Sequence, residues 1–141
     1  MVHALDEIRR VLAPGGLLID LRPLSDHWAV EVETSRERRE AGRVSDLPAG
    51  LADDEAANQA VAEAEAKNWF QREHQEFFPF YYTWDSPVEM QEYIEKEWED
   101  FIGIDEEVWK ELRSMWAVAN ADARVRVRVK MLITLWRRRG D

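Results

Sequence analysis

Residues 5–20 read LDEIRRVLAPGGLLID, and this stretch decides which fold class the chain predicts. Leu5, Ile8 and Leu12 recur at spacings of three and four, which is the period of an apolar stripe on an α-helix. The proline of the APGG segment lacks an N–H group and disfavours helical geometry at the residue before it, so the helix ends there. Residues 17–21 then form a run that is apolar on both faces, which is typical of a strand in a sheet covered by helices on each side. The order of helix, tight turn and buried strand predicts an α/β fold.

Two charged side chains stand near the carboxyl end of this predicted strand. Asp20 interrupts the apolar run, and Arg22 and Pro23 follow it. In open α/β sheets, ligands gather beyond the carboxyl ends of the parallel strands. Asp20 and Arg22 are therefore candidate substrate contacts. The alternative is that both are ordinary polar residues at the end of a strand.

Composition limits the class of protein. The chain has 141 residues, of which 45% are hydrophobic and 34% charged, so we expect one globular domain over residues 1–141. It contains no cysteine, which excludes a disulfide framework and thiolate chemistry. No apolar run approaches the roughly 18 residues of a membrane span, and the N-terminus does not resemble a secretory signal. A soluble cytoplasmic protein without a membrane partner is the expectation.

The net charge of −10 is unevenly distributed. Between Asp85 and Glu111 there are eleven acidic residues and two basic ones, whereas Arg124–Arg139 carries seven basic residues and no acidic one. The basic segment suggests nucleic acid as a partner, but the overall negative charge opposes it, because affinity for a polyanion depends on positive charge. We expect the basic segment to be neutralised within the fold and do not expect nucleic acid to be bound.

The remaining sequence predicts strands and helices from alternation, helical spacing and capping residues. The predicted elements are a hairpin of residues 28–34 and 40–46, a helix over residues 53–75, a strand over Phe77–Trp84, a helix from Ser86 to Gly103, a helix that begins after Asp105 and a last strand over Arg124–Trp136. In the last strand, valines alternate with basic residues in the first half, and the second half is apolar on both faces. This pattern predicts that the last strand lies inside the sheet.

The predicted strand over Phe77–Trp84 reads FFPFYYTW. Its aromatic residues favour extended structure, and Pro79 predicts a bend or an unpaired edge. Tyr82 and Trp84 lie at its carboxyl end and are candidate contacts for an apolar or planar substrate. The alternative is that the rings only pack in the core.

The stretch from Leu5 to Asp20 resembles the late helix, Pro-Gly-Gly turn and fifth strand of class I S-adenosylmethionine-dependent methyltransferases. The resemblance implies that residues 17–21 are strand five, Phe77–Trp84 strand six and Arg124–Trp136 strand seven. In this family, strand seven runs antiparallel between the other two. The implied fold is a partial Rossmann-like methyltransferase sheet of strands five, seven and six, with flanking helices and the β-hairpin as an addition. Only residues 5–20 are specific, and the rest agrees in the order of its elements.

The resemblance does not extend to the cofactor site. The family holds S-adenosylmethionine mainly with a Gly-rich loop after the first strand, and this chain contains no G-x-G pattern. Gly15 and Gly16 follow a helix and not a strand. We therefore carry over no cofactor-binding or catalytic residue, and we expect the chain to bind no cofactor alone. His3, His27 and His74 are too far apart in the sequence to predict a metal site.

A missing strand four would leave strand five with a free edge. Unpaired N–H and C=O groups beside apolar side chains are a template for pairing with another chain. We therefore expect Leu17, Leu18, Ile19 and Leu21 to form an interface. The partner is either a second copy in a homodimer or a chain that supplies the N-terminal half of a methyltransferase.

Three hypotheses of function follow. In the first, which we favour, the chain is a methyltransferase-like fragment that self-associates and catalyses nothing alone. In the second, it is the substrate-side half of a methyltransferase that another chain or an upstream segment completes. In the third, Arg124, Arg126, Arg128 and Lys130 form a basic β-ribbon that binds nucleic acid.

Overall fold

The computed structural model describes residues 2–140, and this part of the chain contains four α-helices and six β-strands. The helices are α1 (Val2–Val11), α2 (Pro48–Ala66), α3 (Pro87–Glu97) and α4 (Glu106–Ala117). The strands are β1 (Leu17–Glu33), β2 (Arg38–Arg43), β3 (Ser45–Asp46), β4 (Phe70–Trp84), β5 (Ile102–Gly103) and β6 (Arg124–Arg138). The predicted α/β class with flanking helices is confirmed.

Four strands form one sheet in the order β2-β1-β6-β4, and β3 pairs with β5 separately. Asp26 of β1 contacts Lys130 of β6, and Glu31, further along β1, contacts Arg126, which comes earlier in β6. Residue numbers therefore rise along β1 as they fall along β6, so the two strands are antiparallel. The last strand lies inside the sheet, as its sequence predicts.

β6 is antiparallel to β4 as well. The N–H of Arg139, just after β6, donates to the carbonyl of Trp69, just before β4, and Arg137 contacts Glu73. β1 and β4 consequently run in the same direction on either side of β6. β4 lies at an edge of the sheet, which is the position where a strand tolerates a residue such as Pro79.

The predicted hairpin is confirmed, but its first strand is longer than the sequence suggests. β2 pairs antiparallel with the end of β1, and Glu33 lies opposite Arg38. β1 runs without interruption, so the two strands expected at residues 17–21 and 28–34 are parts of one strand. Between these two parts of β1, the backbone departs from regular strand geometry at His27, which takes a positive φ of 46°.

The chain is composed of two compact units. The first comprises Met1–Leu24, Ala52–Phe78 and Met131–Asp141, and the second comprises Ser25–Leu51 and Pro79–Lys130. β1, β4 and β6 each contribute residues to both units.

In the first unit, α1 and α2 cover one face of the strands. The core there consists of buried side chains from both helices and from β4 and β6: Leu5, Ala60, Ala64, Phe70 and Trp136. Leu18 of β1 is partly buried and packs against this core. Because side chains alternate along a strand, the odd-numbered residues of β1 point to the opposite face. On that face, Leu17, Ile19 and Leu21 are 49%, 61% and 54% exposed. The expectation of helices on each side of this strand is therefore wrong, because α1 and α2 pack on the same face.

The core of the second unit confirms the alternation predicted for the last strand. Val125, Val127 and Val129 are fully buried. The other buried side chains of this unit include Met90 of α3 and Leu112 of α4. The basic residues that alternate with the valines lie on the other face of β6.

α2 ends earlier than the sequence predicts. The expected helix covers residues 53–75, but residues 70–76 belong to β4. Asn68 takes a positive φ of 58°, a conformation that ends helices and that asparagine tolerates better than most residues. Phe70 is then buried in the core of the first unit. Burial and strand pairing therefore outweigh the helix propensity of the residues that follow Phe70.

α3 begins where predicted and ends sooner. The hydroxyl of Ser86 accepts a hydrogen bond from the N–H of Glu89 at 3.2 Å, so Ser86 is the N-cap. The helix ends at its C-cap Trp98 and not at Gly103, which belongs to β5. α4 begins after Asp105 as predicted, although the Asp105 side chain makes no capping hydrogen bond.

Candidate functional site

The candidate contacts Asp20 and Arg22 pair with each other. Nε of Arg22 donates to both carboxylate oxygens of Asp20 at 3.2 Å, and both side chains are largely buried. Nη1 of Arg22 is buried and has no hydrogen-bond partner within residues 2–140. The pair lies inside β1 and not at a strand end, because β1 continues to Glu33. A further acceptor at this pair would therefore bind to Nη1 of Arg22.

The expected interface residues lie along a free edge of β1. β2 pairs with β1 at Ala29–Glu33, and no strand of the described chain covers residues 17–21 on that side. The carbonyl of Gly16 accepts from the N–H of Arg138 at 2.8 Å, so in a regular strand the backbone groups of the odd-numbered residues face the free edge. These same residues carry the exposed apolar side chains. Leu18 differs from them, because its side chain packs into the core of the first unit.

Tyr82 and Trp84 belong to a group of six rings in the second unit, which we call the aromatic cluster: Trp28, Phe80, Tyr82, Trp84, Tyr93 and Trp98. The rings of Tyr82 and Trp84 stack, with centroids 6.3 Å apart and planes 20° apart. Trp98 meets Tyr82 edge to face at 4.9 Å, and Tyr93 meets Trp84 at 5.5 Å. The structure therefore brings together the two aromatic residues that the sequence singles out.

Part of the aromatic cluster is open to solvent. Tyr82 and Tyr93 are each 36% exposed, and the three tryptophans are half-buried. The rings contact one another at the separations of ordinary aromatic pairs.

Four members of the aromatic cluster are absent from the candidate residues that the sequence suggests. Tyr93 and Trp98 lie on the apolar side of the predicted helix, so their helical spacing in the sequence indicates that they share a face. Trp28 comes from β1, and its ring centroid lies 5.7 Å from that of Trp98. No local pattern links these two tryptophans, because their contact depends on the tertiary fold.

One carboxylate, that of Glu97, acts on a ring of the aromatic cluster. Partial burial raises the pKa of the Tyr93 hydroxyl above its usual 10.0, and the neighbouring Tyr82 and Glu97 raise this pKa further. Several carboxylates on α3 and just after it form no salt bridge within residues 2–140: Glu92, Glu95, Glu97, Glu99 and Asp100. Lys96 lies in the last turn of the same helix, so α3 carries charges of both signs.

Three of the four basic residues in the first half of β6 are paired with carboxylates, and the exception among the described ion pairs is Arg128. Arg124 contacts Asp85 at 2.9 Å, and Lys130 contacts Asp26 at 3.6 Å. Arg126 is buried between two further carboxylates of β1. The expected neutralisation within the fold is therefore confirmed for these three residues. The hypothesis of a nucleic-acid-binding ribbon loses support, because phosphate contacts would have to replace existing ion pairs.

A shallow depression of about 540 Å³ lies in the first unit and is lined by Asp6, Arg9, Arg10 and Arg138. Nε of Arg138 donates to the carbonyl of Arg9 at 2.8 Å, and Arg10 pairs with Glu7 at 2.7 Å. These internal contacts engage the guanidinium groups of Arg138 and Arg10. Within residues 2–140, no group of three or more His, Asp or Glu side chains is placed to hold a metal ion.

No family model, no curated protein and no solved structure matches this chain. The resemblance to class I methyltransferases therefore stays a prediction from residues 5–20. In the described residues, none of the helices has the length and apolar character needed to cross a membrane.

Proposed function

We propose that this chain is the C-terminal portion of a methyltransferase-like fold and that it self-associates through the free edge of β1. In this proposal, the chain alone neither binds S-adenosylmethionine nor transfers a methyl group. The observation that carries the proposal is the exposure of Leu17, Ile19 and Leu21 on the part of β1 that β2 does not reach and that no other strand of residues 2–140 covers on that side. Apolar side chains beside unpaired backbone groups are the composition of a strand-pairing interface.

The order of the strands supports the methyltransferase-like part of the proposal. β1, β6 and β4 have the order and relative directions of strands five, seven and six in that family, with the antiparallel strand in the middle. The helix before β1 and the turn at Gly15, which has a positive φ of 80°, also agree with the resemblance. The lack of a G-x-G pattern supports the absence of cofactor binding by this chain alone.

A second candidate is the substrate-side half of a methyltransferase that another polypeptide segment completes. The uncovered face of β1 in the first unit favours it, because neighbouring exposed apolar side chains are typical of a surface that contacts another polypeptide segment. Helices of a complementing segment would bury the exposed side chains of β1. The Asp20–Arg22 pair, or Tyr82 and Trp84, would then be candidate contacts for the methyl acceptor.

Light scattering after size-exclusion chromatography, with a calorimetric titration of S-adenosylmethionine on the same sample, tests the proposal. We expect a dimer and no heat of binding. Ile19→Lys is expected to give a monomer, because a charged residue on a strand edge opposes pairing with another strand. Val118→Lys is the matched control at an exposed apolar residue outside β1, and it is expected to stay dimeric.

A monodisperse wild-type monomer would contradict self-association. Saturable binding of S-adenosylmethionine by the purified 141-residue chain would contradict the inert form of the proposal. If Ile19→Lys and Val118→Lys dissociate equally, the interface does not involve the edge of β1.

A further inference from the structure

We infer that two copies of this chain pair antiparallel along β1, with Ile19 of each copy on the two-fold axis. The inference rests on the proposed self-association and adds the register of the pairing. In this register, Leu17 of one copy lies opposite Leu21 of the other, and Ile19 lies opposite Ile19. The free edge itself sets the register, because only a short run of its backbone groups is able to pair.

The backbone groups of every second residue in this part of β1 point away from β6. The carbonyl of Gly16 accepts from the N–H of Arg138, so the even-numbered residues bond to β6. In a regular strand, the odd-numbered residues then direct their N–H and C=O groups to the free edge. A second strand would bond to these groups at Leu17, Ile19 and Leu21.

The run of outward-facing donors ends on both sides. On the N-terminal side, the N–H of Gly15 already donates to the carbonyl of Arg138 at 2.9 Å. On the C-terminal side, Pro23 has no N–H and cannot donate to a neighbouring strand. Each of the three odd-numbered residues between these limits has an N–H that faces the free edge, and Ile19 is the middle one of the three.

Registers shifted towards the C-terminus are less favourable. With Leu21 on the axis, Ile19 lies opposite Pro23, so one donor is missing in each copy. With Asp20 on the axis, the two Asp20 carboxylates lie directly opposite each other, and like charges in this position are destabilising. Both shifts therefore weaken the pair.

A register shifted towards the N-terminus also loses hydrogen bonds. With Leu18 on the axis, Leu21 lies opposite Gly15, whose N–H is already bonded to Arg138. The register with Ile19 on the axis is consequently the one in which all three outward-facing residues exchange both of their hydrogen bonds.

A second copy fits this edge in side chains and in charge. Leu17, Ile19 and Leu21 are exposed, and in the paired register each lies opposite another of the same three, which makes apolar cross-strand pairs. Asp20 and Arg22 are the charged residues of this part of β1, and they pair with each other at 3.2 Å. The edge thus carries no net charge, so two identical edges do not repel each other and a partner of high charge gains nothing there.

Single cysteines test this register, because the chain contains no cysteine of its own. Residues opposite each other in the pair have Cα atoms about 5.5 Å apart, a distance that a disulfide spans. Ile19→Cys treated with oxidised glutathione is therefore expected to run as a covalent dimer on a non-reducing gel. Leu21→Cys is the matched control and is expected to stay uncross-linked, because its two copies lie four positions out of register, or about 14 Å apart.

A mixture of two variants tests the other cross-strand pair. Equal amounts of Leu17→Cys and Leu21→Cys, oxidised after subunit exchange, are expected to form a mixed disulfide that mass spectrometry identifies, whereas neither variant cross-links alone. Val118→Cys, at an exposed residue outside β1, measures the disulfides that form by random collision. Light scattering in reducing buffer checks that each variant still self-associates before it is oxidised.

A measurement on the unsubstituted chain is independent of the variants. Amide hydrogen exchange followed by NMR is expected to show that the N–H groups of Leu17, Ile19 and Leu21 exchange more slowly as the protein concentration rises. If light scattering finds a dimer but Leu21→Cys cross-links with itself as readily as Ile19→Cys, or if these three amides do not respond to concentration, the inference is overturned and self-association stands. A wild-type monomer overturns the inference together with the proposed function.

Discussion

At the scale of single residues, Arg126 is a buried cation whose charge is compensated by its neighbours. Its side chain is 8% exposed, and it contacts Glu31 at 2.9 Å and Glu33 at 2.8 Å. The ring of Tyr81 covers the guanidinium, and Arg38 approaches Glu31 from the solvent side at 3.6 Å. A buried charge of this kind is tolerated only because opposite charges and hydrogen bonds compensate for its loss of hydration.

Removing Arg126 is expected to destabilise the protein strongly. Arg126→Ala leaves the buried carboxylate of Glu31 without its closest cation, and we expect the free energy of unfolding to fall by about 3 kcal/mol. Urea denaturation followed by circular dichroism measures this change. The control Arg124→Ala removes an exposed ion pair with Asp85 and is expected to cost less than about 1 kcal/mol. Equal losses in the two variants would show that burial of the Arg126 pair has no special weight.

Gly42 allows β2 and α4 to approach each other. A Cβ atom at this position would lie 2.7 Å from Cγ2 of Val108, which is a stiff β-branched side chain. We expect Gly42→Ala to lower the free energy of unfolding by about 1–2 kcal/mol through overpacking. Adding Val108→Ala is expected to recover part of this loss, because it removes the clashing methyl groups. Gly140→Ala, where a Cβ meets nothing within 4 Å, is the control, and a loss of similar size there would contradict the steric explanation.

At the scale of elements, the start of α3 depends on its cap. The Ser86 hydroxyl accepts from the N–H of Glu89, and the Glu89 carboxylate accepts from the N–H of Asp85 at 3.1 Å. We expect Ser86→Ala to lower the free energy of unfolding by about 1 kcal/mol. Asp105→Ala, at the start of α4, is expected to cost less, because the Asp105 side chain makes no capping hydrogen bond. Thermal denaturation of both variants compares the two caps, and a larger loss for Asp105→Ala would contradict this prediction.

A hydrogen bond between two loops makes stability depend on pH. The N–H of Ser35 donates to Oδ2 of Asp122 at 2.9 Å and is the main reason why the pKa of this carboxyl lies below its usual 3.8. Because the pKa of Asp122 is lower in the folded chain than in the unfolded chain, its carboxylate stabilises the fold above about pH 4, and this stabilisation is lost as the pH falls through the folded-state pKa. We expect the difference in free energy of unfolding between the wild type and Asp122→Asn to be constant near neutral pH and to shrink in acid. Urea denaturation at a series of pH values measures it, and a difference that does not change in acid would contradict the assignment.

At the scale of the whole molecule, the uncovered strand edge connects folding with association. If two copies pair through β1, a higher protein concentration favours the folded dimer by mass action. We expect the midpoint of thermal unfolding to rise by about 2–3 °C for each tenfold increase in concentration. In Ile19→Lys the midpoint is expected not to depend on concentration, whereas Val118→Lys is expected to behave like the wild type. A concentration-independent wild-type midpoint would count against the dimer.

Much of the element order follows from local sequence. The stripe before the APGG turn, the capping Ser86 and the valines of the last strand each predict an element that the structure contains. The main local error is the helix expected over residues 53–75, where Asn68 and the burial of Phe70 replace helix by strand. Alternation along β4 places Tyr82 and Trp84 on one side of the strand, but it does not predict their contacts with Tyr93 and Trp98, which come from another part of the chain.

The sequence by itself determined the α/β class, the ends of several helices and the interior position of β6, because these depend on hydrogen bonds and apolar spacing within a few residues. Only the tertiary structure decided which carboxylates neutralise Arg126, which rings contact Tyr82 and which face of β1 is exposed to solvent. Each of these depends on residues that are far apart in the chain, and Glu31 and Arg126 are separated by 95 positions. Strand alternation shows that a side chain faces outward, but the partner it meets there depends on which strands and helices pack together.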